Sequence, residues 1–168
     1  MIYSEETING IKDIIVSRGE TIAVAESVTA GHLQAAFSVG MEASNYFQGG
    51  ITTYNLGQKT RHLNIDPILC NKANCVALAI ADAMAVEVSK LFLSDYGIGI
   101  TGYASIVPEC EKEGLFCFFS LAYKQKIVLS GKLSSVKILS FKVQVDYANQ
   151  VIQKVYDHLK KINGKLLK

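Results

Sequence analysis

The sequence predicts an α/β fold: a three-layer helix–sheet–helix sandwich with a mixed, mostly parallel sheet and one antiparallel hairpin. Early in the chain, short buried apolar runs alternate with amphipathic stretches, which predicts parallel strands joined by helical crossovers. Two later apolar runs are separated only by Lys124-Gln125, which predicts the hairpin. Of the 168 residues, 49% are apolar and 19% are charged, so we expect one globular domain over residues 1–168.

The first elements follow from hydrophobic spacing. Residues 5–18 predict a helix, because Ile8, Ile11 and Ile15 share one face and Gly19 ends the pattern. Strands and helices are then predicted in alternation. The sequence predicts a strand over 21–25, a helix from Thr29 or Ala30 to near Gly40, a strand over 50–54 and a short helix over 58–63.

The later elements include a long helix over residues 72–93, which consist almost entirely of small residues and good helix formers. The predicted strands after it are 96–101 and the hairpin pair 115–123 and 126–131. The last segment fits two patterns, because alternation from Leu139 indicates a strand whereas a stripe from Val136 to Leu159 indicates a helix. The helical stripe is longer, so we predict a helix over 134–162.

Charge and composition argue against several classes of protein. The net charge of +2 is too small to indicate a nucleic-acid partner. Residues 1–18 lack the pattern of a signal peptide, and no apolar run approaches the ~20 residues of a membrane span, so we expect a cytoplasmic protein with no membrane partner. The four cysteines form no C-x-x-C pair, so we expect reduced thiols, no metal and no cofactor.

Polar residues follow the first predicted strand, in Glu26-Ser27-Val28-Thr29-Ala30-Gly31. In an open α/β sheet, ligands bind beyond the carboxyl ends of the strands. Backbone N–H groups at the start of the next helix are unsatisfied, so a hydroxyl at Ser27 would lie beside a ready oxyanion hole. The structural alternative makes Thr29 an N-cap and Ser27 a turn residue, and this segment alone favours that alternative.

The next strand ends in Tyr54-Asn55-Leu56-Gly57-Gln58-Lys59. A partly desolvated lysine loses its proton more easily and can serve as a base. Serine with lysine is a known nucleophile–base pair, which links Lys59 to Ser27. A surface lysine beside a half-buried tyrosine is the structural alternative, and it is favoured when this segment is taken alone.

A third strand end carries Gly97-Ile98-Gly99-Ile100-Thr101-Gly102, which matches G-x-G-x-x-G letter for letter. The match lies inside a strand, and residues 103–114 after it hold a proline and no helical pattern, so we reject a dinucleotide site. We expect the glycines to permit close packing or close ligand approach. Thr101 is the residue of chemical interest at this strand end.

Taken together and in this order, the three segments resemble the CinA C-terminal domain family. The family motif A-E-S-C-T-G-G is similar to residues 25–31, G-x-x-T-Y-S-N-x-x-K to residues 50–59, and S-G-I-A-G-P to residues 101–106. The resemblance extends from about residue 5 to residue 160. Members of this family remove the amide of nicotinamide mononucleotide, giving the nicotinic acid form and ammonia, so the resemblance implies that activity here.

The resemblance also implies a role for each matched residue. Ser27 would be the nucleophile and Lys59 its base, while Tyr54 and Thr101 would position the substrate or relay the proton. The implied substrate-binding residues are Glu26, Thr29, Ala30, Gly31, Gly102 and Lys137. The implied partner is a small nucleotide, nicotinamide mononucleotide or a related amide, and a homo-oligomer stays open.

The sequence departs from the family where the phosphate would be held. Residues 105–109 replace a glycine-rich stretch, and Leu133 and Lys137 stand at the two arginine positions of a late motif, G-x-R-x-x-V-R. Arginine binds phosphate with two hydrogen bonds, whereas lysine is a point charge. We therefore expect weakened phosphate binding, and the alternative function is a catalytically silent nucleotide-binding or assembly domain on the same fold.

Overall fold

A five-stranded sheet forms the centre of the protein. The structure is a computed structural model that describes residues 2–166, with side chains up to residue 164. The strands are β1 (Ile22–Glu26), β2 (Phe47–Thr52), β3 (Tyr96–Gly102), β4 (Phe116–Tyr123) and β5 (Lys126–Ser134). Their order across the sheet is β2-β1-β3-β4-β5. β1 is parallel to β2 and β3, whereas β4 is antiparallel to β3 and β5, which confirms a mostly parallel sheet with one hairpin.

Helices cover both faces of this sheet. They are α1 (Glu5–Ser17), α2 (His32–Ser38), α3 (Leu56–Leu63), α4 (Pro67–Lys72), α5 (Leu78–Leu91) and α6 (Ser140–Leu166). α1, α2 and α6 pack on one face and α3, α4 and α5 on the other, so the predicted three-layer sandwich is confirmed. Within residues 2–166, no helix combines the length and the apolar character that a membrane crossing requires.

β1 is buried on both faces, as its apolar sequence predicts. Ile22 and Val24 enter the core beneath α1 and α6, and Ala23 and Ala25 enter the core beneath α3 and α5. A strand covered on both faces reads as a continuous apolar run rather than an alternating one. The first polar side chains of this segment therefore appear at the carboxyl end of β1.

Two glycines of β3 bring α5 against the sheet. A Cβ atom at Gly97 or Gly99 would overlap the backbone carbonyl oxygen of Ala85 or Ala81 on α5. Only glycine permits such a close approach of helix and strand. Of the two roles expected for these glycines, close packing or close ligand approach, Gly97 and Gly99 have the first, and the packing holds α5 against β3.

The long helix predicted over residues 72–93 is wrong in its first part. α4 ends at Lys72, α5 begins at Leu78, and Asn74 and Cys75 between them adopt left-handed φ angles of 47° and 57°. Good helix formers on either side hid the break, because the sequence holds no glycine or proline there. The segment leads directly to the site described below.

The cysteines differ from the expectation of four reduced thiols. Cys70 and Cys75 form a disulfide across the break between α4 and α5, while Cys110 and Cys117 are free and buried. The spacing of the pair gave no sign of a bridge, because the left-handed turn that brings the two Cα atoms to 4.2 Å is invisible in the sequence.

The last helix begins at Ser140 rather than at residue 134, because β5 continues its pairing with β4 as far as Ser134. Val136 and Leu139, which the predicted stripe includes, lie in the connection and are 92% and 61% exposed, so this part of the stripe is wrong. From Val143 to Leu159 the predicted stripe is correct, and these residues form the buried face of α6.

Candidate functional site

A cavity of about 210 Å³ lies at the carboxyl edge of the three parallel strands, where β1, β2 and β3 end side by side. Ser27, Tyr54, Lys59, Thr101 and Gly102 all line this cavity, which we call the serine cavity. The polar residues that end three separate strands are thus brought together, as the sequence predicts.

Ser27 and Lys59 are in direct contact. The Lys59 Nζ atom lies 2.8 Å from the Ser27 Oγ atom and 2.7 Å from the carbonyl oxygen of Thr53. The position of Lys59 follows from α3, whose Asn55 N-cap accepts a hydrogen bond from the Gln58 N–H and whose buried face consists of Lys59 and Leu63. The predicted contact between the two residues is confirmed.

Lys59 is buried, and no carboxylate of residues 2–166 forms an ion pair with it. Its side chain is 1% exposed, and its hydrogen-bond acceptors within residues 2–166 are a hydroxyl and a backbone carbonyl rather than a carboxylate. Burial lowers the pKa of Lys59 from 10.5 to about 8. At neutral pH, a lysine with this pKa is uncharged, and so able to accept a proton, in about one tenth of the protein molecules.

Thr101 connects the serine cavity to the break between α4 and α5. Its hydroxyl donates a 2.7 Å hydrogen bond to the carbonyl oxygen of Cys75. Asn74, Cys75 and Val76 line the cavity, so this segment forms one of its walls. The predicted helix over residues 72–93 leaves no room for this wall. The asparagines at 71 and 74, which favour turns, are the signal in the sequence that indicates it.

Tyr54 stands at the mouth of the cavity. The strand β2 ends at Thr52, earlier than predicted, so Tyr54 lies beyond the strand and is 68% exposed. Its hydroxyl has no hydrogen-bond partner among the described residues. In this arrangement Tyr54 can contact a ligand at the entrance, but it is not bonded to Ser27 or Lys59.

Glu26 holds the helix start that was expected to bind substrate. Its fully buried carboxylate accepts hydrogen bonds from the N–H groups of Gly31, Leu33 and Gln34 and from the Gln34 side chain. The carboxylate therefore already neutralises the positive end of α2. A second anion has no free donors there, so we correct the expectation of a substrate or oxyanion site at this helix start.

The neighbours of Glu26 in the same motif also lie away from the serine cavity. The Ala30 N–H donates to the Ser27 carbonyl oxygen at 3.2 Å, and Thr29 is fully buried. Glu26, Thr29, Ala30 and Gly31 do not line the cavity, whereas Val28 does. The Val28 N–H has no hydrogen-bond acceptor within residues 2–166, and the same holds for the N–H groups of Ser27 and Thr29 on either side of it.

The two positions expected to replace phosphate-binding arginines do not reach the cavity either. Lys137 is exposed in the connection before α6 and lines a separate groove with Phe141 and Asn149. Leu133 is 8% exposed and packs in the core beneath α6. The substrate-binding position predicted for Lys137 is therefore corrected, and within the described residues no group of three His, Cys, Asp or Glu side chains could hold a metal ion.

Comparison with known proteins gives a consistent result. A family model described as the CinA C-terminal domain matches residues 4–156. A "CinA-like protein" of Synechocystis sp. is 40% identical over 101 residues, which cover 60% of this chain and 24% of that protein. A "CinA-like protein" of Prochlorococcus marinus is 39% identical over 102 residues, with coverages of 60% and 24%. The chain thus spans about a quarter of the length of these curated relatives.

Solved structures with similar folds include two crystal structures. One is of a competence or damage-inducible protein from Enterobacter asburiae, with a TM-score of 0.85 and 17% identity over 92% of this chain and 97% of that chain. The other is of competence damage-inducible protein A from Klebsiella pneumoniae subsp. pneumoniae, with a TM-score of 0.85 and 19% identity over 94% and 98% of the two chains. At these identities the likeness shows the fold alone.

Proposed function

Because this chain belongs to the CinA C-terminal domain family, we propose that it hydrolyses the carboxamide of nicotinamide mononucleotide, or of a related nucleotide, through Ser27 and Lys59. The observation that carries the proposal is the 2.8 Å contact between Ser27 Oγ and a lysine whose burial lowers its pKa to about 8. A nucleophile in contact with a base of nearly neutral pKa is the arrangement that acyl transfer requires.

In the first step, the uncharged Lys59 amine accepts the Ser27 hydroxyl proton while the Ser27 oxygen bonds to the amide carbon. The carbonyl oxygen becomes an oxyanion, which needs a hydrogen-bond donor in the cavity. The N–H groups of Ser27 and Val28 have no acceptor within residues 2–166 and both residues line the cavity, so we assign the donor role to this pair. The Thr53 carbonyl, at 2.7 Å from Lys59 Nζ, keeps the amine oriented and stabilises its protonated form.

In the second step, the carbon–nitrogen bond breaks and the Lys59 ammonium gives its proton to the departing nitrogen, which leaves as ammonia. An acyl group then remains on the Ser27 oxygen. A water molecule gives a proton to Lys59 while its oxygen bonds to the acyl carbon. The bond between this carbon and the Ser27 oxygen then breaks, Lys59 passes the proton to the Ser27 oxygen, and the carboxylic acid leaves. Thr101 keeps the Cys75 wall in place through its hydrogen bond, and Tyr54 contacts the substrate at the cavity mouth.

The test is ammonia release on incubation with nicotinamide mononucleotide, measured together with formation of the nicotinic acid form. We expect turnover by the wild type and a loss of at least about 10³-fold in Ser27→Ala. Ser38→Ala, which removes an exposed hydroxyl on α2 away from the cavity, is the matched control and should keep wild-type turnover.

A catalytically silent nucleotide-binding domain is the second candidate function. The observation in its favour is that neither Leu133 nor Lys137 reaches the serine cavity, so no arginine-like anchor is present at the expected positions. Binding of nicotinamide mononucleotide by the wild type without any ammonia release would support this candidate and contradict the hydrolase.

A further inference from the structure

A second cavity adjoins the serine cavity. Its volume is about 450 Å³, and it shares a wall with the serine cavity, because Asn74, Val76 and Tyr103 line both. A ligand whose reacting group lies at Ser27 can therefore extend past these three residues into the second space. We call this space the lysine groove, after Lys72 and Lys132, which line it.

Lys132 is placed over an aromatic surface in the lysine groove. Its Nζ atom lies 3.9 Å from the centre of the Phe116 ring and 5.7 Å from that of Phe118, and it forms an ion pair with Glu113. The side chains of Lys132 and Glu113 are 43% and 59% exposed. Exposed ion pairs contribute little stability, so a ligand anion can take the place of Glu113 at small cost.

The direction of Lys132 follows from the strand register. In the β4–β5 ladder Lys132 lies opposite Phe118 and Leu133 lies opposite Cys117. Successive side chains of a strand point to opposite faces, so Leu133 enters the core beneath α6 and Lys132 points into the groove. Lys132 therefore directly precedes Leu133, the position at which this sequence lacks the arginine of the family motif.

Two carboxylates limit the positive charge of the groove. Glu109 accepts a 3.4 Å hydrogen bond from the Asn74 side chain and so is held at the shared wall, and Glu113 is the partner of Lys132. Lys72, at the end of α4, has no ionic partner within the described residues. An anion bound in the groove can therefore contact Lys72 and Lys132, and Lys132 must first separate from Glu113.

Building on the amidohydrolase proposed above, we infer that the lysine groove binds the anionic part of the substrate and that Lys132 is its principal contact. The substrate class is then an amide that carries a phosphate group, with the amide at Ser27 and the phosphate between Lys132 and Lys72. Because Glu113 competes for Lys132, removal of the Glu113 charge strengthens binding, whereas removal of the Lys132 charge weakens it.

The test compares kcat/KM for nicotinamide mononucleotide with kcat/KM for the unphosphorylated riboside. The ratio of kcat/KM for the nucleotide to kcat/KM for the riboside should fall about tenfold in Lys132→Gln. This is the lower end of the effect expected when a charge-assisted hydrogen bond is lost. In Glu113→Gln the ratio should rise about two- to fivefold. Lys126→Gln removes an equal charge at the other end of β5, about 20 Å along the strand, and should leave the ratio unchanged.

Turnover of nicotinamide mononucleotide with an unchanged ratio in Lys132→Gln would overturn the assignment of the groove and leave the hydrolase standing. No turnover by any variant would overturn the hydrolase, and the groove is then judged by calorimetric binding of nicotinamide mononucleotide to the same proteins. Weaker binding by Lys132→Gln than by Lys126→Gln supports the groove in that case, and equal binding overturns it.

Discussion

Glu26 and Lys59 are both buried charged residues, the first preceding Ser27 in the chain and the second hydrogen-bonded to it, and they differ in what surrounds the charge. The Glu26 carboxylate accepts four hydrogen bonds from N–H groups, three of them from the backbone at the start of α2. Among the residues that the structure describes, the Lys59 ammonium has two acceptors, both uncharged oxygen atoms. A buried carboxylate with a full set of donors supports the fold, whereas a buried lysine with few partners can lose its proton and perform chemistry.

The largest effect is expected for Lys59→Met, which keeps the length of the side chain and removes the amine. Turnover should fall by at least about 10³-fold, because Ser27 loses its base. The variant should nevertheless unfold at higher urea concentration than the wild type at pH 7. The pKa of Lys59 is about 8 in the folded protein against the usual 10.5, and this difference lowers the free energy of unfolding by about 3 kcal/mol at pH 7. Methionine carries no charge, so the variant does not have this cost.

The stabilisation by Lys59→Met has a defined pH dependence. Below pH 8 the lysine is charged in both the folded and the unfolded chain, so its cost is fully present. Between pH 8 and 10.5 the folded chain loses the proton first, so the stability of the wild type rises and the gap to the variant closes. Equal stability of both proteins at pH 7 would show that Lys59 is better solvated than its burial indicates.

The opposite result is expected for Glu26→Ala. The N–H groups of Gly31, Leu33 and Gln34 lose their acceptor, and at least one of them is buried, so the free energy of unfolding should fall by about 3 kcal/mol or more. Glu26→Gln keeps one acceptor oxygen and should lose less. Urea unfolding measures both, and a cost below about 1 kcal/mol for Glu26→Ala would contradict the structural role of the carboxylate.

A smaller effect is expected at the wall of the serine cavity that contains Cys75. The Cys70–Cys75 disulfide closes a short loop, so its reduction by a dithiol should lower the free energy of unfolding by roughly 2 kcal/mol. Cys75→Ser should remove this sensitivity to the dithiol. Thiol titration of the denatured, unreduced protein should detect only Cys110 and Cys117, and four reactive thiols would contradict the bridge.

The sequence predicted the contact between Ser27 and Lys59 because both residues follow strands that end at the same edge of the sheet. It did not predict the role of Glu26, because the partners of this carboxylate are N–H groups of a turn that folds back on it. Two left-handed residues, Ala30 and Gly31, make that turn, and their φ angles of 50° and 105° leave no periodic signal.

Periodicity also misled the prediction in two places. An apolar, alanine-rich pattern runs through Asn74 and Cys75, although their left-handed backbone ends one helix before the next begins. Val136 and Leu139 continue the helical spacing of α6, although pairing with β4 holds the preceding residues in a strand. In both places the structure departs from the helical pattern, at the disulfide-bridged break in the first and beside the sheet ladder in the second.

The direct test of the comparison between Glu26 and Lys59 is the titration of the Lys59 amine itself. NMR of the lysine side-chain nitrogens from pH 6 to 11, with the Lys59 signal assigned by its loss in Lys59→Met, gives this pKa in the folded protein without reference to any substrate. A value near 8, well below the values of the surface lysines, is the predicted result. A value near 10.5 would contradict the assignment of Lys59 as a base for Ser27.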